Sequence, residues 1–396
     1  MLAGLLNTVL FISSFVLVLS FLIFFHELGH YSVARFFKVS VEKFSIGFGR
    51  PIVAWTSKAG VNWSISRIPL GGYVKFAGDA GAASNPDTEQ LEAIKADMTQ
   101  DGQNLSNIFH FKPLWQRVLV VLAGPVANFI LAMFIFAGLG MAVGESHRET
   151  YVGSVSPNTP AAAAGFEVGD KILSMDGKPT PHFIDILRHV QLRSGTDIDT
   201  VVLRGGREVS LVVRPEKKEE RDFVGGKANV GRIGLGSDPS RPVIYKRYNP
   251  VEALGFGASE VGSTISSTGT LLKRIFTGKE DTKQLGSVVR IATVTGKSAV
   301  DVANADAPVA VRVKALATRL ALLAASISIA LGVANLMPIP VLDGGHLLYY
   351  GYEAIAGRPL SQKKQELGFR MGFALLLALF VMLTINDIGY VSSFFS

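Results

Sequence analysis

The chain has no cysteine in 396 residues, so disulfide staples and thiolate metal ligands are both excluded. Charge is scarce as well: Asp, Glu, Lys and Arg together make up 18%, against 48% hydrophobic residues, with a mean hydropathy of +0.33. That balance is unusual for a water-soluble domain and points to an integral membrane protein. Histidine is sparse, with 7 residues, so a His-rich metal tract is also excluded. The net charge of +7 comes without a basic patch interleaved with aromatics and without a recognisable nucleic-acid module. Nucleic acid is therefore not an expected partner, and the charge is better explained by membrane topology.

Four apolar runs are long enough, or nearly so, to cross a bilayer core of ~30 Å. They are Leu5 to Phe25, Val118 to Val143, Leu320 to Leu342 and the shorter Gly372 to Ile385. The first has no basic residue ahead of it, so it is expected to be a retained span rather than a cleaved signal. Ten Lys and Arg residues lie between Tyr31 and Arg117 and four between Gly351 and Arg370, while residues 1–25 and 386–396 hold none. The positive-inside rule then places those two loops in the cytoplasm and both termini outside. The long region from about Gly144 to Arg319 is expected to be extracytoplasmic.

The first run leads directly into His26-Glu27-Leu28-Gly29-His30. On a helix, positions i and i+4 share a face, so His26 and His30 can approach one metal ion. Glu27 projects nearby and can take a proton from water, the H-E-x-x-H arrangement of zinc peptidases. In a membrane span an ionisable group is a functional candidate by default. A catalytic zinc needs a third protein ligand and an open position. The leading candidate is Asp343, in Asn335-Leu-Met-Pro338-Ile-Pro340-Val-Leu-Asp343-Gly344-Gly345-His346. There two prolines break a span and leave a carboxylate at membrane depth, tolerable only inside protein or beside a wet cavity. His346 is the rival ligand.

Val61 to Ser66 alternates apolar and polar residues, and Pro69-Leu70-Gly71-Gly72 reads as a turn before Tyr73-Val74-Lys75-Phe76. Together they predict a hairpin whose edge can pair with an extended peptide. Residues 79–105 are polar and acidic and read as a mobile loop. From Tyr151 to about Pro215 a compact module is expected, with Gly169-Asp170-Lys171-Ile172-Leu173 and Asp176-Gly177 as landmarks, a helix near Phe183 to Val190, and strands at Thr200–Leu203 and Glu208–Val213. Arg232-Ile233-Gly234-Leu235 is expected to add its last strand. This order resembles a PDZ domain of the bacterial protease type, a peptide binder by strand addition, with Tyr151-Val152-Gly153-Ser154 as the expected carboxylate loop. Apolar positions between Pro250 and Gly278 fall near helical spacing, which suits an amphipathic helix on the membrane surface.

Taken together, H-E-L-G-H at 26–30, P-L-G-G-Y-V-K at 69–75, G-P-V-A-N at 124–128, the PDZ-like module and N-L-M-P-I-P-V-L-D-G-G-H at 335–346 resemble the site-2 proteases, bacterial intramembrane zinc metalloproteases of the RseP type. The resemblance implies His26, His30 and Asp343 as Zn2+ ligands and Glu27 as the catalytic acid/base. It implies Asn335 in holding substrate or stabilising the transition state, and Pro69, Leu70, Gly71, Gly72, Tyr73 and Val74 as the strand that pairs with substrate. It also implies the partners: single-pass membrane proteins already trimmed outside, such as anti-sigma factors or remnant signal peptides, together with the bilayer and peptide C-termini at the PDZ domain. The location it implies is the bacterial inner membrane. Enteric members carry two tandem PDZ domains; one is legible here, as in the single-PDZ form.

The expected architecture is a multi-pass α-helical membrane protein of about four transmembrane helices with a membrane-associated β-hairpin and one inserted extracytoplasmic PDZ domain. Its divisions are 1–143 (two spans, metal motif and hairpin), 150–236 (PDZ), 250–315 (amphipathic helix and linker) and 316–396 (two spans and the Asp343 motif). A catalytically inactive PDZ scaffold is the alternative; it requires a broken motif, and the motif is intact. A transporter would be expected to show an inverted repeat, and none is visible.

Overall fold

The computed structural model describes residues 2–79, 81, 91, 105–221 and 227–392. Most of the loop expected over 79–105 therefore lies outside the described residues. The chain divides into two compact units. One comprises 1–136 with 291–382, and the other 137–290 with 383–396.

The first unit is built on helices. Helix α1 runs Leu2–Phe36, followed by strands β1 (Val41–Thr56) and β2 (Asn62–Phe76) and helix α2 (Leu114–Ala142). Four helices among the described residues are long and apolar enough to cross a membrane: α1, α2, α7 (Val309–Asn335) and α9 (Gln362–Ser392). At 1.5 Å per residue, the 33 residues of the first span reach roughly 50 Å. That exceeds the ~30 Å core, so the apolar run alone understates the helix. The same holds for α9, whose 31 residues extend well beyond Gly372 to Ile385. The third span does the opposite. It stops at Asn335 rather than Leu342, because Pro338 and Pro340 cannot donate to a helix ladder.

The hairpin differs from the expected one. Val41–Thr56 is a full strand, and a first reversal lies at 57–60, where Gly60 N–H donates to Ser57 O. The chain does reverse again around Pro69 to Gly72, but the returning residues Gly72 to Phe76 pair with Val41 to Ile46 of β1 and not with Val61 to Ser66. Lys43 to Ile46 pair with Lys75 to Gly72 on one side and with Asn62 to Ile65 on the other, while Pro51 to Thr56 pair with Ser66 to Asn62. Gly71 absorbs the resulting bend at φ +144, and a Cβ there would meet the Phe48 ring at 2.3 Å. Phe44 anchors the sheet on α1, stacked on Trp63 and buried with Val39, Val74, Phe76, Phe109 and Val120. Helices α1 and α2 pack closely at Gly29, where a Cβ would lie 2.2 Å from Ala123 O.

The second unit opens with β3 (Glu145–His147) and β4 (Val152–Val155), then the short helix α3 (Pro160–Ala163). Strands β5 (Lys171–Met175), β6 (Lys178–Pro179), β7 (Ile198–Arg204) and β8 (Arg207–Val213) form one sheet in the order β6-β5-β7-β8, with helix α4 (Phe183–Gln191) between β6 and β7. Val152, Phe166, Ile172, Met175, Ile186, Ile198 and Val202 form its core. A hairpin of β9 (Glu216–Arg221) and β10 (Lys227–Arg232) follows, then β11 (Leu235–Ser237) and β12 (Ile244–Lys246). The run 232–235 is not one strand: Gly234 at φ +85 separates β10 from β11, which returns to pair with β4. Helix α5 (Pro250–Phe276) starts on a capping box, in which Asn249 accepts from the N–H groups of Val251 and Glu252. It is held to the module by a fork from Arg188 to Glu260 and by buried Arg274, which donates to Ser194 O and Thr196 Oγ1. Val251, Leu254 and Phe276 remain exposed on it. Of the remaining helices, α6 (Val288–Ala303) falls mostly, and α8 (Asp343–Ala356) wholly, in the first unit.

Candidate metal centre

His26 and Glu27 are buried on α1, and His30 follows one turn later. The Nε2 atoms of His26 and His30 are 3.2 Å apart. Asp343 Oδ2 approaches them at 3.3 and 3.5 Å. Three donors bonded to one tetrahedral zinc at about 2.0–2.1 Å must be about 3.3 Å from one another. The spacing therefore fits that ion, as does a donor set of two imidazoles and one carboxylate. Asp343 Oδ2 is also buried without a hydrogen-bond partner, a costly state that a cation relieves. Among the described residues this is the one group of His, Asp or Glu with metal-binding spacing. His346 lines the same cavity but is not in the group.

Local sequence explains the convergence. After α7 ends, the two prolines turn the chain, and Gly344 and Gly345 let it pack on itself. A Cβ at Gly344 would lie 2.2 Å from Met337 O, and one at Gly345 would lie 2.4 Å from Ile339 O. Asp343 thus opens α8 facing α1. A bidentate ion pair ties α8 to α2: Arg117 donates to both Glu353 oxygens, at 3.1 and 2.5 Å, and its guanidinium lies over the Tyr350 ring. Helix α2 approaches the imidazoles through Gly124, where a Cβ would sit 2.2 Å from His30 Nε2 and 2.9 Å from His26 Cε1. His30 Nδ1 donates to Val120 O at 2.9 Å, and Asn128 Nδ2 lies 3.0 Å from His26 Nδ1.

These groups surround a cavity of about 200 Å³. Glu27, Asn335, Tyr350 and strand residues Gly72, Tyr73 and Val74 line it. The strand comes this close because residue 72 has no side chain; a Cβ there would meet Ile23 Cγ2 at 2.7 Å and Glu27 Cγ at 3.0 Å. Pro69, Leu70 and Gly71 precede it in β2, and neither Pro69 nor Gly71 reaches the cavity wall. Tyr151 to Ser154 belong to the other unit. Of their backbone donors, Val152 N–H is engaged by Asp170 O, and β4 is already paired with β11. Val120, Gly124 and Asn128 carry no role that sequence reasoning assigns. A polar Asn inside an uncharged span is the signal that could have singled one of them out.

The family model for peptidase family M50 matches residues 14–379. The chain is similar to the metalloprotease MmpA of Caulobacter vibrioides, at 42% identity over 382 residues, covering 95% of this chain and 94% of the relative. It is similar also to an Agrobacterium fabrum protein bearing the name "Putative zinc metalloprotease Atu1380", at 41% identity over 380 residues and 96% of each chain. With its helices long and apolar enough for a membrane and a site fitted for zinc, the chain belongs to peptidase family M50, the site-2 protease family of zinc metalloproteases.

Proposed function

We propose that the protein is an intramembrane zinc endopeptidase that cuts single-pass membrane proteins within the bilayer after a first external cleavage. The observation that carries this reading is the position of Glu27. It adjoins His26, His30 and Asp343 in a cavity at the end of an apolar helix, with an edge of β2 forming one wall. His26, His30 and Asp343 would hold the ion; bound there, zinc supplies Lewis acidity and makes water nucleophilic near neutral pH.

The chain's own groups do the rest. Glu27 accepts the proton of the attacking water and delivers it to the leaving amine. Asn335, at the end of α7, donates a hydrogen bond to the oxygen on which charge develops, a contact worth roughly 3 kcal/mol in comparable sites. A helical substrate hides its carbonyls, so it must unwind. Pairing with Gly72 to Val74 replaces the hydrogen bonds it loses.

The distribution of Lys and Arg supports an inner-membrane protein with both termini and the 150–236 module outside. That module, read as a PDZ domain, excludes or senses bulky external domains. Capture of a peptide carboxylate at Tyr151 to Ser154 would require Val152 N–H to leave Asp170 O. The exposed apolar side of α5 is read as facing the membrane surface. The decisive experiment is Glu27→Gln in the full chain, assayed with a membrane-embedded single-pass reporter. Zinc content is expected to stay stoichiometric while cleavage falls by ~10²–10⁴-fold, the usual contribution of a general acid/base. Undiminished cleavage would refute the assignment.

A further inference from the structure

Asn128 is an amide buried completely in the middle of an apolar span. Its main-chain carbonyl accepts from Ser328 Oγ at 2.9 Å. In the side chain, Nδ2 lies 3.0 Å from His26 Nδ1, while Oδ1 is buried with no partner. An amide buried in hydrocarbon is costly unless its polar atoms are satisfied.

Ligand chemistry decides which way that amide must point. If Nδ2–H donates to His26 Nδ1, the hydrogen of the neutral ring sits on Nε2. That is the atom facing His30 Nε2 and Asp343 Oδ2, and a nitrogen carrying a hydrogen cannot ligate a metal. The two ends of an amide have nearly the same shape, so packing does not choose between them. With Oδ1 toward the ring, His26 donates Nδ1–H to it and presents the Nε2 lone pair to the site. His30 is already in this state, because its Nδ1 faces Val120 O, which can only accept.

We propose that Asn128 is a positioning residue: its Oδ1 accepts the His26 Nδ1–H and so selects the tautomer and ring orientation that bind the ion. Helix α2 then controls both histidines, one through a main-chain carbonyl and one through a side chain. The inference rests on the metal-centre reading above. It also explains why a polar group stands four residues after Gly124, on the helix face that meets the imidazoles.

The test is zinc affinity of the detergent-solubilised full chain, measured by competition with a chromophoric chelator. Asn128→Leu keeps the branched heavy-atom skeleton and removes the acceptor; affinity is expected to fall 10–100-fold. Asn128→Asp restores an acceptor and is expected to stay within a few-fold of wild type. Equal affinity of Asn128→Leu and wild type overturns the proposal, as does an Asp variant as weak as the Leu variant, which would leave a packing role only. Should Asn128→Leu fail to fold, ¹⁵N-histidine NMR of the zinc-loaded wild type reads the same point. Hydrogen on Nδ1 of both ligands is expected, and coordination of His26 through Nδ1 would sink the idea. A wild type that holds no zinc fails the metal-centre reading and this inference with it; zinc held equally with and without the acceptor fails this inference alone.

Discussion

The metal site depends on residues whose contribution is to be small. Gly124 lets α2 lie against two imidazoles, and a methyl group there has nowhere to go. Gly124→Ala is expected to cost about 1–3 kcal/mol through overpacking and to lower bound zinc. Thermal unfolding and metal stoichiometry check both parts. Gly138, on the same helix, has open space where a Cβ would stand, so Gly138→Ala should leave both unchanged. His26, Glu27, His30 and Asp343 are legible in the sequence because each is chemically conspicuous in hydrocarbon. Gly124 is visible there only as part of a motif. A glycine's reason is the neighbour it admits, and here the crossing of two helices sets that neighbour.

At the scale of elements, α8 carries Asp343 at its first residue and is anchored three turns further on. The Arg117–Glu353 pair is largely shielded, with side-chain exposures of 13% and 19%, and both terminal guanidinium nitrogens are engaged. Hydrogen bonds to charged groups contribute about 1.5–3 kcal/mol each. Arg117→Ala, which removes two such bonds and leaves Glu353 unpaired, is therefore expected to destabilise the protein by about 3–5 kcal/mol in thermal unfolding. It should also weaken zinc binding, because Asp343 opens the helix that Glu353 anchors. The elements themselves are unevenly legible. Spans follow from apolar length, but their true ends follow from caps and prolines, which is why the third stops early and the fourth runs long. Only half of the hairpin shows in the sequence. The alternation in β2 reads as a strand, whereas Val41–Thr56 is interrupted by Gly47, Gly49 and Pro51 and hides its role as the partner.

For the molecule as a whole, the polar unit should respond to acid independently of the metal. Asp170 is 1% exposed; burial alone would raise its carboxyl, but hydrogen bonds from Arg204 and from the Glu167 N–H outweigh it and hold it below the ordinary carboxylate range. A depressed folded value means stability that is present at neutral pH and above about pH 4, and is lost as pH falls through the folded value. Hydrogen exchange of residues 151–213 in the full chain is expected to accelerate over that acid range, and Asp170→Asn should flatten the dependence while lowering protection at pH 7. Membrane character, the metal motif, the number of spans and the family resemblance were determined by sequence alone, because hydrophobic length and ligand spacing along one helix are local properties. Tertiary structure alone decided that Asp343 rather than His346 meets the two histidines, that β2 walls the cavity, and that α2 approaches the imidazoles. The ligand and helix contacts join segments about 90 to 320 residues apart, and close packing, not spacing along the chain, sets them.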